Sequence, residues 1–232
     1  MKLPLIAAAT VVLLTGACGM PRDPEGTLDR VRGGTMRVGV TTADPFVVME
    51  GDEPSGGVEV KLVEELAAEL DAEIEWFHGS QEELFAALEV RELDLVIGGF
   101  TRTNPWSSKV ALTHPYLTTF IGVGVPDQED VGEDISGTVV AVEAGTVAAG
   151  LLKETDAEVV RVDDIATAEG AAAVENWLFD NLELYDTRVR LTESDHVMAV
   201  QVGENAWLTT VERFLLERHE RIEELLEEEG TL

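Results

Sequence analysis

The chain is short of sulfur and of positive charge. Cysteine occurs once, at position 18, so no intramolecular disulfide can form. Lysine and arginine number 16 against 46 acidic residues, a formal charge of −30. A surface of that sign repels a phosphate backbone, which excludes nucleic-acid binding. It reads instead as salt adaptation, or as a field that keeps the protein soluble and draws cations towards it. The four histidines, His78, His114, His196 and His219, are scattered without ligand spacing. They read as surface or core residues, and neither a metal nor a cofactor is expected. The N-terminal apolar run, Leu3 to Leu14, falls short of the ~20 residues that a membrane-spanning helix needs. What the chain does have is apolar content, 45%, enough to bury a core across one large domain or two small ones.

The apolar run follows Lys2 and gives way to small residues up to Cys18, the order of a secretory signal that is removed on export. Leu14-Thr15-Gly16-Ala17-Cys18 resembles the bacterial lipobox, in which the cysteine takes a lipid and becomes the first mature residue. Thr15 departs from the leucine usual there. Lipidation would account for the lone thiol, which in a secreted protein otherwise stands unpaired and reactive. An ordinary signal with a coincidental cysteine is the alternative. Residues 1–17 are therefore read as signal, and 18–35, with Pro21, Pro24, Gly26 and Gly33-Gly34, as lipidated cysteine and tether.

Beyond the tether, strands and helices alternate. MRVGV (36–40) suits a buried parallel strand. Asp44-Pro45-Phe46 and GDEPSGG (51–57) read as turns, and apolar residues at helical spacing predict a helix over 58–70. A strand follows at 74–77, then a helix opened by the capping box Ser80-Gln81-Glu82-Glu83, then a strand over 93–97 ending at Gly98-Gly99. The pattern begins again near Gly137, with strands at 138–142, 159–162 and 172–174 and a helix over about 147–154. A strand at 196–202 and one long helix from Ala206, ending in an acidic run, close the chain. Two rounds of strand and helix imply two α/β lobes.

In this order the pieces resemble the family-3 extracellular solute-binding proteins of ABC importers. MRVGVTTADPF, GGVEVKLVEELAAEL, LDLVIGGFT, LTHPYL, VVAVEAGT and HVMAVQVGENAWLTTVERFL carry the resemblance over roughly 36–230. Val58, Lys61 and His114 depart from the family's usual residues. The resemblance implies a two-lobe periplasmic-binding-protein-like (type II) fold, each lobe a mixed sheet flanked by helices, with lobe 1 at 36–121 plus 198–232 and lobe 2 at 122–197. It implies capture of a small polar solute in the cleft between lobes, without catalysis. Delivery would be to an ABC permease, by a monomeric lipoprotein in the periplasm or on the outer face of the cell membrane. A dehydratase-like enzyme on the same fold, and an accessory sensor for a separate membrane partner, are the alternatives.

The resemblance also places candidate ligand residues. Phe46 stands where the family has an aromatic wall, although it would serve equally as core. Gly98 and Gly99 would let backbone amides approach a solute, with Thr101 adding a hydroxyl, and a plain tight turn is the alternative. Gly145 and Thr146 repeat this in lobe 2, and Glu175, with Asn176 as its rival, stands where an acid pairs with a ligand's ammonium group. Glu59 reads as well for a helix cap as for a cleft acid. The family's carboxylate-gripping arginine is replaced by Trp106, leaving Arg102 and Lys109 as the nearest cations. A tryptophan face there would suit a cationic or amine-bearing solute, if Trp106 lines the cleft and not the core.

Overall fold

The computed structural model describes residues 23–103, 109–128 and 132–230. The chain runs α1 (Thr27–Val31), β1 (Thr35–Val40), β2 (Val48–Glu50), β3 (Glu53–Gly56), α2 (Val58–Glu69), β4 (Glu73–His78), α3 (Gln81–Glu89) and β5 (Leu95–Ile97). Then come β6 (Ala111–Leu112), β7 (Leu117–Val125), β8 (Val139–Glu143), α4 (Val147–Leu151), β9 (Glu158–Val162), β10 (Ala171–Glu175) and β11 (Tyr185–His196). It finishes with β12 (Ala199–Val200), α5 (Asn205–Leu216) and α6 (His219–Glu229). Two five-stranded sheets result, ordered β4-β1-β5-β12-β6 and β11-β7-β10-β8-β9. In the first, β1 runs parallel to β4 and β5 while β12 is antiparallel to β5 and β6. In the second, β8 runs parallel to β9 and β10 while β7 is antiparallel to β10 and β11.

The chain passes between the sheets twice, from β6 to β7 and from β11 to β12. The crossings are tied to each other. Thr113 and Met198 exchange bonds, with the Thr113 amide donating to the Met198 carbonyl and the Met198 amide to the Thr113 hydroxyl. The Tyr116 amide donates to the His196 carbonyl. These paired segments are the hinge geometry expected of two lobes joined by crossing strands.

The local rules account for most elements. Val58, Leu62, Val63, Leu66 and Ala67 form the buried stripe of α2, and the capping box before α3 closes as predicted. Four expectations are corrected. Residues 27–31 are a docked helix and not tether, because Val31 and Thr27 are buried and Glu204 accepts the Thr27 amide. Glu53–Gly56, expected as turn, pairs with β2. His196 ends a twelve-residue strand and does not begin one, and β11 lay hidden because its side chains alternate without a full apolar face. The C-terminal helix breaks after Leu216, where Arg218 turns to bond Glu65 and Glu69, and α6 then lays Ile222, Leu225 and Leu226 on the first core.

Two buried carboxylates organise the first lobe. Asp94, just before β5, accepts paired bonds from the guanidinium groups of Arg30 and Arg37 and from the Arg37 amide. Burial alone would raise its pKa, but the two arginines outweigh it and hold the carboxyl below its ordinary value. Its carbonyl accepts the indole N–H of the fully buried Trp207 at 2.8 Å, so β5, α1 and α5 meet at one residue.

Glu59, in the first turn of α2, has no solvent exposure. One carboxylate oxygen accepts the amides of Gly98 and Gly99 at 2.7 and 2.8 Å. The other accepts the Tyr116 hydroxyl at 2.7 Å. Gly99 has φ +63, and a Cβ there would press on the Phe46 ring at 3.0 Å, so the turn needs glycine for conformation and for space. Burial raises the Glu59 pKa, and the three donors oppose that without cancelling it.

The two carboxylates predict opposite pH behaviour. Replacing Glu59 by Ala leaves two amides and a phenol without partners and should cost about 3 kcal/mol or more, whereas Gln keeps most of the bonds and should cost about 1 kcal/mol. Because folding raises the Glu59 pKa, its contribution is full below the unfolded value and declines as pH rises through the folded one. Wild type should therefore gain on the Gln variant between pH 7 and pH 4. Asp94, depressed, contributes above its unfolded value of about 3.9 and loses that as pH falls through the folded one. Asp94→Asn should cost about 2–4 kcal/mol at pH 7, narrowing only in acid. Denaturant melts of the variants across pH decide both; equal losses for Ala and Gln at position 59 would overturn the first.

Candidate functional site

The two sheets present different chemistry where they face each other. On the first, the chain leaves β1 and turns through Phe46, while β5 runs into Gly98-Gly99 and Thr101. Phe46 is only 5% exposed and belongs to the first core. Its ring stacks on His196 at 4.2 Å and meets the Trp177 ring edge-on at 6.1 Å. The Gly98 and Gly99 amides, expected to be free for a solute, are consumed by Glu59. This is the larger correction to the sequence reading, and it follows from an acid 39 and 40 residues upstream of the two amides. Thr101 bridges His196 through its backbone, and its hydroxyl lies 3.2 Å from that of Thr103. The Arg102 side chain is 62% exposed and lies 3.8 Å from Asp195, beside a surface hollow lined by Leu112, Thr113, His114 and Pro115. Trp106 lies outside the described residues.

The second sheet keeps a polar group in reserve. A cavity of about 170 Å³ opens at the C-terminal edge of β8 and β10. Ile121, Ile165, Ala148 and Leu178 give it apolar walls, and Glu143, Thr146 and Glu175 give it oxygen atoms. Strand C-terminal edges are where ligands sit in open α/β sheets. Glu175 is half-buried and its carboxylate makes no hydrogen bond or ion pair with another described residue. Burial raises its pKa, with no partner to oppose the shift. Its rival Asn176 is committed elsewhere, accepting the Phe120 amide at 2.9 Å. Thr146 caps α4, accepting from the Ala149 amide, and donates to the Glu143 carbonyl, so its hydroxyl is also in use. Gly145, at φ +87, makes the turn before it and faces open space.

Three residues at this interface were not singled out from sequence. Glu143 ends β8, two residues before Gly145. Trp177 follows Glu175 by two positions on a short 3-10 turn, Asn176–Leu178. His196 closes β11 with 5% exposure, its Nε2 paired with the Thr119 hydroxyl at 2.9 Å. Its Nδ1 is buried without a hydrogen-bond partner of good geometry. Burial lowers its pKa to about 4, with the Gly99 backbone and Asp195 opposing, so the ring is neutral at pH 7. Among the described residues, no group of three or more His, Cys, Asp or Glu gathers to hold a metal, and no helix is long and apolar enough to cross a membrane.

Comparison with known proteins agrees with this architecture. Residues 36–228 match the model of the bacterial extracellular solute-binding proteins, family 3. The YhdW protein of Escherichia coli (strain K12), an amino-acid ABC transporter-binding protein by name, is 24% identical over 210 residues, 83% of this chain. This chain spans 61% of that relative's length. An ancestral cationic amino-acid solute-binding protein shares the fold with a TM-score of 0.63 at 20% identity, over 85% of this chain and 98% of its own. The L-cystine solute receptor of Neisseria gonorrhoeae, in an unliganded open conformation, superposes with a TM-score of 0.66 at 17% identity, over 88% and 94% of the two chains. The two sheets are thus the lobes of a two-lobe periplasmic-binding-protein fold, and the chain belongs to the bacterial extracellular solute-binding proteins of family 3.

Proposed function

We propose that this chain captures a small amine-bearing or cationic solute of amino-acid type between its lobes and passes it to an ABC permease, without chemical change. The observation that carries the reading is Glu175: a half-buried carboxylate, unpaired among the described residues, at the mouth of an apolar-walled cavity. A carboxylate so placed is costly unless a cation arrives to pair with it. An ammonium group on a solute would supply that partner by a charge-assisted bond, and Glu143 on the neighbouring strand adds negative potential to the same cavity. Closure of the lobes on the solute would then follow from its contacts with both. The names of the E. coli relative and of the ancestral cationic amino-acid binder support the same solute class.

In this reading residues 1–17 are removed on export and Cys18 carries the lipid that holds a monomer at the membrane. The folded body would then start close to the anchor, because Asp23 already caps Leu28 and bonds the Trp207 amide. The working place is outside the cytoplasm, as membership of an extracellular solute-binding family implies.

Calorimetric titration against amino acids with cationic, neutral and anionic side chains tests the reading. A saturable response is expected from at least one amine-bearing solute. Glu175→Gln should weaken it by about 2 kcal/mol or more, some 30-fold, because truncating one partner of a desolvated charge pair strands the other. Unchanged affinity in that variant, or silence across the whole panel, would refute it.

A further inference from the structure

The aromatic wall of the first lobe is already covered. Phe46 lies in the turn between β1 and β2, and almost none of its surface reaches solvent. His196 takes one side of the ring, and Trp177 approaches edge-on from the second lobe. Trp177 reaches across from the turn that follows β10 and packs against the core of the first lobe. Its other neighbour is Gly230 at the end of α6, where a Cβ would overlap the indole ring. The end of α6 is itself held against the first lobe, since Glu229 accepts the Gly57 amide at 2.9 Å and pairs with Lys61. The turn that carries Trp177 is fastened on both sides, by Asn176 to the Phe120 amide and by Asn181 to the Gly230 carbonyl.

We infer that Trp177 is an internal latch between the lobes: its indole packs against Phe46 and the first core where an incoming solute would meet them, so that binding is an exchange of Trp177 for part of the solute. The geometry suits exchange better than permanent core packing. A core tryptophan in this chain looks like Trp207, fully buried with its N–H bonded to a carbonyl. Trp177 is half-buried, its N–H makes no hydrogen bond among the described residues, and it sits on a three-residue turn, not on a helix or strand. Glu175 is two residues upstream, so a solute that pairs with Glu175 acts on the turn that carries Trp177. Solute affinity is then lowered by the fraction of molecules in which Trp177 stays in place.

The exchange rests on the solute-binding reading, but the latch does not, and two measurements separate them. Small-angle X-ray scattering of the full chain without added solute reads the latch. Trp177→Ala should raise the radius of gyration while keeping a cooperative melt, and Trp177→Phe, which retains an aromatic edge, should stay near wild type. Unchanged scattering in the Ala variant overturns the latch. Calorimetry with L-arginine and L-lysine as probes reads the exchange, and Trp177→Ala should bind about 3–10-fold tighter than wild type. Weaker or equal binding would make Trp177 a ligand contact or a bystander and overturn the exchange. If neither protein takes up either probe while the Ala variant expands, the latch stands and the choice of solute is what fails.

Discussion

The structure turns on the Glu59 carboxylate. Removing a charge from water costs several kcal/mol even after relaxation, and such a group survives in a core only when its lone pairs are filled. Glu59 fills them from three places at once: the two amides of the glycine turn after β5 and the phenol of Tyr116 beside the first crossing. One side chain therefore sets the position of the cleft turn relative to α2 and relative to the hinge. Phe46 depends on the same arrangement, because its backbone carbonyl accepts the Glu59 amide and its ring packs where Gly99 leaves room. The Asp94 cluster does a parallel task at the opposite end of β5, and the short strand is clamped at both ends by acids.

Much of the fold could be read from the sequence. Local chemistry placed several elements: the Ser80–Glu83 capping box, the apolar stripe of α2 and the runs of β1 and β8 all form where the sequence predicts them. Where partners far along the chain decide, it did not. Glu59 could be read equally as a helix cap, since nothing near it announces that its donors lie forty residues on. Residues 27–31 looked like tether because their stabilising contacts, with Glu204 and the Asp94 cluster, are 64 to 177 residues away. β11 carries too few apolar side chains to declare itself, yet it is held by pairing along β7. The strand-end position of Glu175 could be read from the sequence, whereas the contact of Trp177 with Phe46 could not, because an aromatic on a short turn has no sequence pattern.

The two lobes divide the polar work unequally. In the first, the amides of the glycine turn are saturated from within, and the Phe46 ring is covered by His196 and Trp177. In the second, Asn176 and Thr146 are saturated too, but Glu175 is left over. A binding site is defined by such a remainder: an unfilled group that is costly alone and inexpensive once paired. On the proposed reading the first lobe would supply shape and apolar contact, and the second the choice of charge.

That division also says how little the overall charge of −30 has to do with selectivity. At physiological salt, exposed charges more than about 8 Å apart hardly feel each other, so the acidic surface attracts cations in general and ranks none of them. Discrimination needs a low local dielectric and a fixed geometry, where the same Coulomb term grows several-fold over its value in water. On the proposed reading the apolar walls around Glu175 would provide the first and the sheet edge the second. A solute would thus be drawn by the field of the whole chain and chosen by one carboxylate. Adding or removing surface acids would change how fast it arrives far more than whether it stays.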